Sequence, residues 1–194
     1  MTSRQYILDQ IRTRRRQSFD MPSLEDVLPV RYEDRLGQFI SALEQVGGKA
    51  LILEPGQNID ELMRSLYPSA SVIASNLPYI NSSINPDIVH EASELNGVDL
   101  GVVEGRIAVA ENGCVWIPQT MKERAVLFIS ECLVIIVDSD AIVNNMHEAY
   151  SAVKNDSYGC FISGPSKTAD IAQALVMGAQ AARDVVVIVR PVTN

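Results

Sequence analysis

Continuously apolar runs constrain the fold of this chain more than any other feature of its sequence. The run Val185–Val189 (V-V-V-I-V) is β-branched at every position, and residues 126–137 contain another apolar run of strand length. Strands that are apolar at every position are buried on both faces, as in parallel sheets covered by helices. Similar runs at 50–53, 71–74 and 158–162 alternate with amphipathic segments. The sequence therefore predicts an α/β fold with a mainly parallel sheet between helical layers.

The chain is expected to have two parts of unequal size. Residues 1–31 are predicted to form an N-terminal helical arm, over Tyr6–Gln17, followed by a Pro-containing linker. Residues 32–194 are predicted to form a single α/β domain. The arm carries a basic run that includes Arg12 and Arg14–Arg16, which we interpret as a solvated face or a docking surface for a partner protein.

Local signals predict where several elements of the domain begin and end. Asn58 precedes Glu61 at the spacing of a capping box and predicts a helix start. Asp138-Ser139 predicts the start of a helix that continues through Lys154. The strand-like segments between Gly101 and Ile117 follow one another too closely for helical crossovers, so antiparallel pairing is expected there.

Composition excludes several classes of protein. No apolar run approaches the roughly 20 residues of a membrane span, and the start of the chain lacks a secretion signal, so a cytoplasmic location is expected. The net charge of −8 argues against nucleic-acid binding. The three cysteines, Cys114, Cys132 and Cys160, lie far apart, which predicts neither a disulfide framework nor a metal site within the chain.

The segment Ser163–Ile171 (S-G-P-S-K-T-A-D-I) is the first candidate site. It follows an apolar run and begins an amphipathic one, so a strand, a turn and a helix start are expected together. Helix N-termini bind anions through unpaired backbone N–H groups and the helix dipole. A helix cap without any ligand is the alternative. The candidate ligand-binding residues are Ser163, Gly164, Ser166, Lys167 and Thr168.

The A-E-N-G segment, Ala110–Gly113, is the second candidate site. Glu111 lies at the end of a predicted strand or between two strands, where its carboxylate could bind ligand, act as a base or nucleophile, or accept backbone N–H groups. Asn112 and Gly113 are added to the candidate ligand-binding residues. We expect Glu111 and Ser166 to face one crevice at the carboxyl ends of strands, where ligands bind in open α/β sheets.

Two stretches of this sequence resemble a known family. G-V-V-E-G-R-I-A-V-A-E-N-G-C-V (Gly101–Val115), Arg124, and I-S-G-P-S-K-T-A-D-I-A-Q-A-L-V-M-G (Ile162–Gly178) resemble the lactate utilization protein C family, the LUD domain. The resemblance implies a fold related to ribose-5-phosphate isomerase and CoA transferases. It also implies a role beside iron–sulfur subunits that oxidise L-lactate to pyruvate, with the clusters in those partners and no cofactor in this chain. Where family members usually carry T-G-T, this chain has Asn112, Gly113 and Cys114.

Two functions remain open on this basis. In the first, the chain is an accessory or ligand-binding subunit of an iron–sulfur L-lactate oxidation system and binds a small anionic ligand. In the second, it is a small enzyme that acts on a phosphate- or CoA-bearing substrate, because A-E-N-G also resembles the S-E-N-G segment of CoA transferases. The glutamate of that segment forms an acyl thioester with CoA. Glu111 would then be base or nucleophile, while Ser166, Lys167 and Thr168 hold the anion.

Overall fold

The computed structural model describes residues 2–14, 28–154, 158–168 and 176–192. Its helices are α1 Ser3–Arg14, α2 Arg35–Gln45, α3 Ile59–Leu66, α4 Val126–Ile129 and α5 Met146–Val153. Its strands are β1 Lys49–Ile52, β2 Ile73–Ala74, β3 Leu100–Glu104, β4 Ile107–Val109, β5 Cys114–Pro118, β6 Cys132–Asp138, β7 Ile142–Val143, β8 Gly159–Ile162, β9 Lys167–Thr168, β10 Val176–Met177 and β11 Asp184–Arg190.

A five-stranded parallel sheet forms the centre of the molecule. Its strand order is β1-β11-β6-β3-β2, and every neighbouring pair runs parallel. The run Val185–Val189 occupies β11 between β1 and β6, and none of its residues is more than 2% exposed. Burial of both strand faces explains why this segment needs no polar residue. The predicted α/β fold is therefore confirmed.

Different layers cover the two faces of the main sheet. On one face, Met63 of α3 belongs to the same buried cluster as Val102 and Ile188. On the other face, Phe39 and Leu43 of α2 pack with residues of α4 and of a second sheet in one continuous core. This second sheet has the order β7-β4-β5-β8.

The second sheet accounts for the segments that follow one another closely in sequence. β4 pairs antiparallel with β5, which confirms the pairing expected between Gly101 and Ile117. β5 pairs antiparallel with β8, so the run at 158–162 belongs to this sheet, and its expected place in the parallel sheet is wrong. β8 contacts β5 through Phe161, whose ring packs at a tilt of 52° against Trp116, with 4.7 Å between ring centroids. That pairing and ring contact cannot be read from the apolarity of the run.

Gly105 marks the point where the chain leaves one sheet for the other. Its N–H donates to the carbonyl of Ile136 in the main sheet, and the N–H of Arg106 donates to the carbonyl of Trp116 in the second sheet. A Cβ atom at Gly105 would lie 2.3 Å from Cγ1 of Val115, so no larger residue fits. The glycine therefore lets the chain step from the central sheet into the covering layer.

Helix predictions succeed where the signal is local. The side chain of Asn58 accepts hydrogen bonds from the N–H groups of Asp60 and Glu61, which confirms the predicted N-cap of α3. The helix expected from Asp138-Ser139 is wrong in its start: Ser139–Ala141 is a 3-10 turn, and α5 begins only at Met146 with Asn145 as its cap. The short strand β7 intervenes because it pairs with β4.

The amphipathic segment after Ser163 does not form the expected helix in its described part. Lys167–Thr168 and Val176–Met177 form an antiparallel two-stranded ribbon, β9 with β10. Residues 169–175, into which the predicted amphipathic helix would continue, lie outside the described residues. The pairing of β9 with β10 replaces the helix start predicted at Ser163–Thr168.

The N-terminal arm begins with a helix that buries none of its side chains. α1 covers Ser3–Arg14 and carries Arg12 and Arg14 in its last turn. Arg15, Arg16 and the predicted linker up to residue 27 lie outside the described residues. The division into an arm (1–31) and a domain (32–194) stays a prediction. No helix within the described ranges is long and apolar enough to cross a membrane.

Candidate functional site

The turn after β8 holds the candidate ligand-binding residues of the first segment. The hydroxyl of Ser163 donates to the backbone carbonyl of Asn112, 2.9 Å away. The N–H of Ser166 donates to the carbonyl of Ala182, and the carbonyl of Ser166 accepts from the N–H of Gly178. The turn is thus bound to the A-E-N-G segment at one end and to the chain before β11 at the other.

The C-terminal end of α2 closes onto the same turn. Gly47 has φ +82°, and a Cβ atom added there would lie 3.2 Å from Nζ of Lys167. Gly164 has φ +66°, and a Cβ atom there would lie 2.8 Å from the carbonyl oxygen of Val46. Only glycine combines this backbone conformation with so close an approach. The structure therefore brings the ends of α2 and β8 together around Lys167.

The electrostatics at this turn differ from those that the sequence predicts. In the described residues the turn leads into β9, so no helix N-terminus supplies a positive dipole at Ser163–Thr168. Lys167 instead lies beside Gly47, just beyond the C-terminus of α2, where the helix dipole favours a cation. An anion bound here would be attracted by the exposed ammonium group of Lys167, and the C-terminal end of the α2 dipole would oppose it.

Asn112 and Gly113 form the tight loop between β4 and β5. Gly113 has φ +67°, and a Cβ atom there would lie 2.5 Å from the backbone nitrogen of Leu43. The side chain of Asn112 accepts a hydrogen bond from the N–H of Cys114. These contacts give both residues a role in packing the hairpin onto α2. Burial raises the pKa of the Cys114 thiol to about 12, which keeps it neutral.

Glu111 directs its carboxylate towards α5. Its Oε2 accepts a hydrogen bond of 2.9 Å from the N–H of Met146, the first residue of that helix. Its own N–H donates to the carbonyl of Asn144. A carboxylate at a helix N-terminus is stabilised by the dipole and by the unpaired N–H groups of the first turn. This is the backbone-binding alternative that the sequence left open for Glu111.

The candidate turns lie at the amino ends of the parallel strands. Gly164 lies against Gly48, which immediately precedes β1, and Ser166 binds Ala182, which lies two residues before the start of β11. The expected position at the carboxyl ends of strands is therefore wrong for Ser166. The two segments do adjoin, since Ser163 binds Asn112, but the Glu111 carboxylate is occupied at α5.

Sequence reasoning missed a charged cluster at the carboxyl ends of the same sheet. β3 ends at Glu104, β6 at Asp138 and β11 at Arg190. Nε of Arg190 lies 2.5 Å from Oδ1 of Asp138, and Nη2 lies 3.1 Å from Oε1 of Glu104. The signal was present in the sequence, because each charged residue directly follows an apolar run. Only the strand order shows that the three residues meet.

Comparison with known proteins identifies the class of this molecule. The family model of the LUD domain matches residues 36–189, which include both sheets and helices α2 to α5. The chain therefore belongs to the LUD domain family, and the resemblance found in its sequence is confirmed.

A solved structure supports the same fold. A DUF162 family protein from Deinococcus radiodurans, known from a crystal structure, superimposes with a TM-score of 0.64 and 16% sequence identity. The match covers 84% of this chain and 99% of the other. At this identity the likeness shows the fold alone. No curated protein matches the chain.

Proposed function

We propose that this LUD-domain chain is an accessory, ligand-binding subunit of an iron–sulfur system that oxidises L-lactate. The position of the Glu111 carboxylate is the observation that favours a binding role over a catalytic one. Because Oε2 accepts from the first N–H group of α5, this carboxylate serves as a cap of that helix. Membership of the LUD domain family supplies the link to lactate utilisation.

The cysteines are consistent with clusters carried by partner subunits. A four-thiolate cluster needs four cysteines, and this chain has three. Cys114 lies in the second sheet, and Cys132 begins a strand of the main sheet. Within the described part of the chain, no three His, Cys, Asp or Glu side chains are grouped to hold a metal ion. The partner subunits would supply the redox groups.

The ligand in this proposal is a small anion held at the junction of the glycine turns. Lys167 supplies the charge, while Ser163, Gly164, Ser166 and Thr168 line the turn beside Asn112 and Gly113. The supporting observation is the close approach of Lys167 to Gly47, which places the ammonium group where the turns meet. An exposed ammonium contributes about 0.3–1 kcal/mol to such binding, and salt weakens it.

Calorimetric titration of phosphate and of L-lactate tests this proposal. We expect binding by the unaltered chain, weaker binding by Lys167→Gln, and no change in Lys154→Gln, which removes an exposed lysine at the end of α5. Higher ionic strength should weaken binding by the unaltered chain but not by Lys167→Gln. Absence of binding, or equal binding by the Lys167 and Lys154 variants, would make this turn a structural junction only.

A further inference from the structure

A polar cavity lies at the carboxyl ends of the three central strands of the main sheet. It has a volume of about 370 Å³ and is lined by Glu104, Arg106, Pro118, Thr120, Asp138 and Arg190. A neighbouring cavity of about 300 Å³ shares Arg190 and adds Asn58 and Tyr79. Ligands of open α/β sheets bind in the crevice outside the carboxyl ends of the strands. This cavity occupies that position, whereas the glycine turns do not.

Arg190 holds the two carboxylates of the cavity in place. Its Nε bonds Asp138 and its Nη2 bonds Glu104, while the hydroxyl of Tyr79 donates to Glu104 over 3.4 Å. The hydrogen bond to Asp138 is the largest cause that raises the pKa of Arg190 above its ordinary value, so the guanidinium stays charged. The carboxylate oxygens are therefore preorganised acceptors at the rim of the cavity.

The stability of the fold does not explain this cluster. The side chains of Arg190, Asp138 and Glu104 are 34%, 39% and 43% exposed, and ion pairs with such exposure contribute about 0–1 kcal/mol. The strands beneath them are already fixed by continuous parallel pairing and by a buried core. The cluster therefore adds little to the stability of the fold, and its three charged residues line the cavity.

The charges on the wall define the chemistry of that ligand. Glu104 and Asp138 carry two negative charges, and Arg190 and Arg106 carry two positive charges, so the lining is neutral in sum. Arg106 donates through Nη2 to the carbonyl of Ala152, which orients it at the wall. Thr120 adds a hydroxyl group. Carboxylates accept hydrogen bonds from hydroxyl groups, and guanidinium groups donate to hydroxyl or acid oxygens.

We propose that this cavity binds a small polyhydroxylated molecule, a sugar or a sugar acid, through neighbouring hydroxyl groups. Glu104 and Asp138 accept from the hydroxyl groups, and Arg106 donates to a hydroxyl or carboxylate oxygen at the other side. Arg190 bonds Oε1 of Glu104 and Oδ1 of Asp138, so Oε2 and Oδ2 are the oxygens that accept from the ligand. A ligand without hydroxyl groups offers these oxygens no donor and is disfavoured for that reason. This site is separate from the anion site proposed at the glycine turns.

Titration of the ¹⁵N-labelled full chain with D-glucose, D-gluconate and acetate tests the inference by nuclear magnetic resonance. We expect D-glucose and D-gluconate to shift the amide signals of Gly105, Arg106 and Thr120, with no shift at Gly97, which lies before β3 at the opposite end of the sheet. Acetate, which has a carboxylate but no hydroxyl group, should shift these signals less than either sugar does. Absence of shifts with both sugars, or equal shifts with acetate, would overturn the inference.

Variants test which side chains recognise the hydroxyl groups. Glu104→Gln and Asp138→Asn should each weaken sugar binding roughly tenfold, since each loses a hydrogen bond to a charged acceptor. The control is Arg183→Gln, which breaks the exposed ion pair with Glu131 just before β11, at the opposite end of the sheet. It should bind as the unaltered chain does, and equal loss in all three variants would overturn the assignment.

The location of the shifts separates this inference from the proposed function. Shifts at Gly47 and Gly164 on addition of sugar would place the ligand at the glycine turns and overturn the cavity assignment. Loss of phosphate binding in Lys167→Gln bears only on the proposed function. The titration of the unaltered chain tests sugar binding at the cavity even if Glu104→Gln or Asp138→Asn fails to fold.

Discussion

Glu111 and Lys167 make different contacts from those that the residues next to them in sequence predict. Glu111, in the A-E-N-G segment that resembles CoA transferases, binds the first N–H group of α5. Lys167, expected at a helix start, lies beside the end of α2. In both cases the tertiary fold places the end of a helix beside the side chain, and this helix end determines its electrostatic environment. The charge of each residue suits the helix end that it faces.

Substitution of Glu111 tests its capping role. Glu111→Gln keeps an acceptor for the N–H of Met146 but removes the charge at the helix N-terminus, so we expect it to lower the free energy of unfolding by about 0.3–1 kcal/mol. The loss should shrink as salt is added, because salt screens the interaction of the charge with the helix dipole. Urea denaturation at low and high ionic strength measures both effects.

Glu44→Gln is a matched control, because its expected effect on the free energy of unfolding has the opposite sign. Glu44 lies exposed in the last turn of α2, where a negative charge opposes the helix dipole. Glu44→Gln is therefore expected to leave the free energy of unfolding unchanged or to raise it slightly. If Glu111→Gln has no effect at low salt, or if acyl-CoA adds covalently to Glu111 in the unaltered chain, the capping role does not explain this carboxylate.

Elements of this fold form where local and tertiary preferences agree and change type where they conflict. α3 has a side-chain cap at Asn58 and an apolar face that buries Met63, so the local signal and the packing coincide. The segment at Lys167 has a helical pattern, yet it pairs with Val176–Met177 as a strand. β2 is an edge strand of two residues, and its position depends on bonds from outside the ladder.

Asp99 provides those bonds and makes the edge of the sheet sensitive to acid. Its Oδ2 accepts from the N–H groups of Ser71 and Val72, each at 2.8 Å, just before β2 begins. The backbone hydrogen bonds from Val72 and Ser71 lower the pKa of Asp99 below its ordinary value of 3.8. Because the folded pKa is the lower one, this stabilisation is present at neutral pH and is lost as the pH falls below that value.

Asp99→Ala should therefore destabilise the chain most at neutral pH. We expect a loss of about 1 kcal/mol in the free energy of unfolding at pH 7, with the difference from the unaltered chain decreasing in acid. Urea denaturation over a series of pH values measures it. Asp140→Asn, at an exposed position after β6, is the control and should change little. A difference that stays constant down to low pH would show that the Asp99 charge has no part in holding β2.

The whole molecule combines a buried central sheet with an N-terminal helix that contributes no buried side chain. Tyr6, Ile7 and Ile11 of α1 are each more than half exposed, and Arg12 and Arg14 lie in its last turn. Among the described residues after α1, Val30 and Tyr32 are bound to the loop before α5: Asn145 donates to the carbonyl of Val30, and the N–H of Tyr32 donates to Asn144. The sequence analysis left two interpretations of the basic arm, a solvated face or a docking surface for a partner protein, and α1 is the described part of that arm.

Deletion of residues 2–14 tests separately whether α1 contributes to folding and whether it contributes to partner binding. We expect the midpoint of thermal unfolding to stay unchanged, because the deleted helix buries no side chain. In the host cell, a tagged chain that lacks this helix should no longer co-purify with iron-containing subunits, whereas the full chain should. Retention of those subunits by the shortened chain, or a large fall in the unfolding midpoint, would exclude this role of α1.

The sequence by itself determined the parallel core and the local caps of this protein. The run Val185–Val189 has no polar position, so burial on both faces is the only way to remove its surface from water. Asn58 caps α3 through atoms that lie two and three residues away, so no distant part of the chain is needed. The family resemblance could also be recognised from the sequence, because it depends on residue order alone.

Tertiary structure decided the partners of the short strands and the position of the charged groups. Whether residues 158–162 pair in the central sheet or in the covering sheet depends on contacts with β5, which lies more than 40 residues earlier in the chain. Glu104, Asp138 and Arg190 meet only because β3, β6 and β11 are neighbours in the sheet. Such contacts join residues far apart in sequence, and no pattern within one segment specifies which segment will become its neighbour.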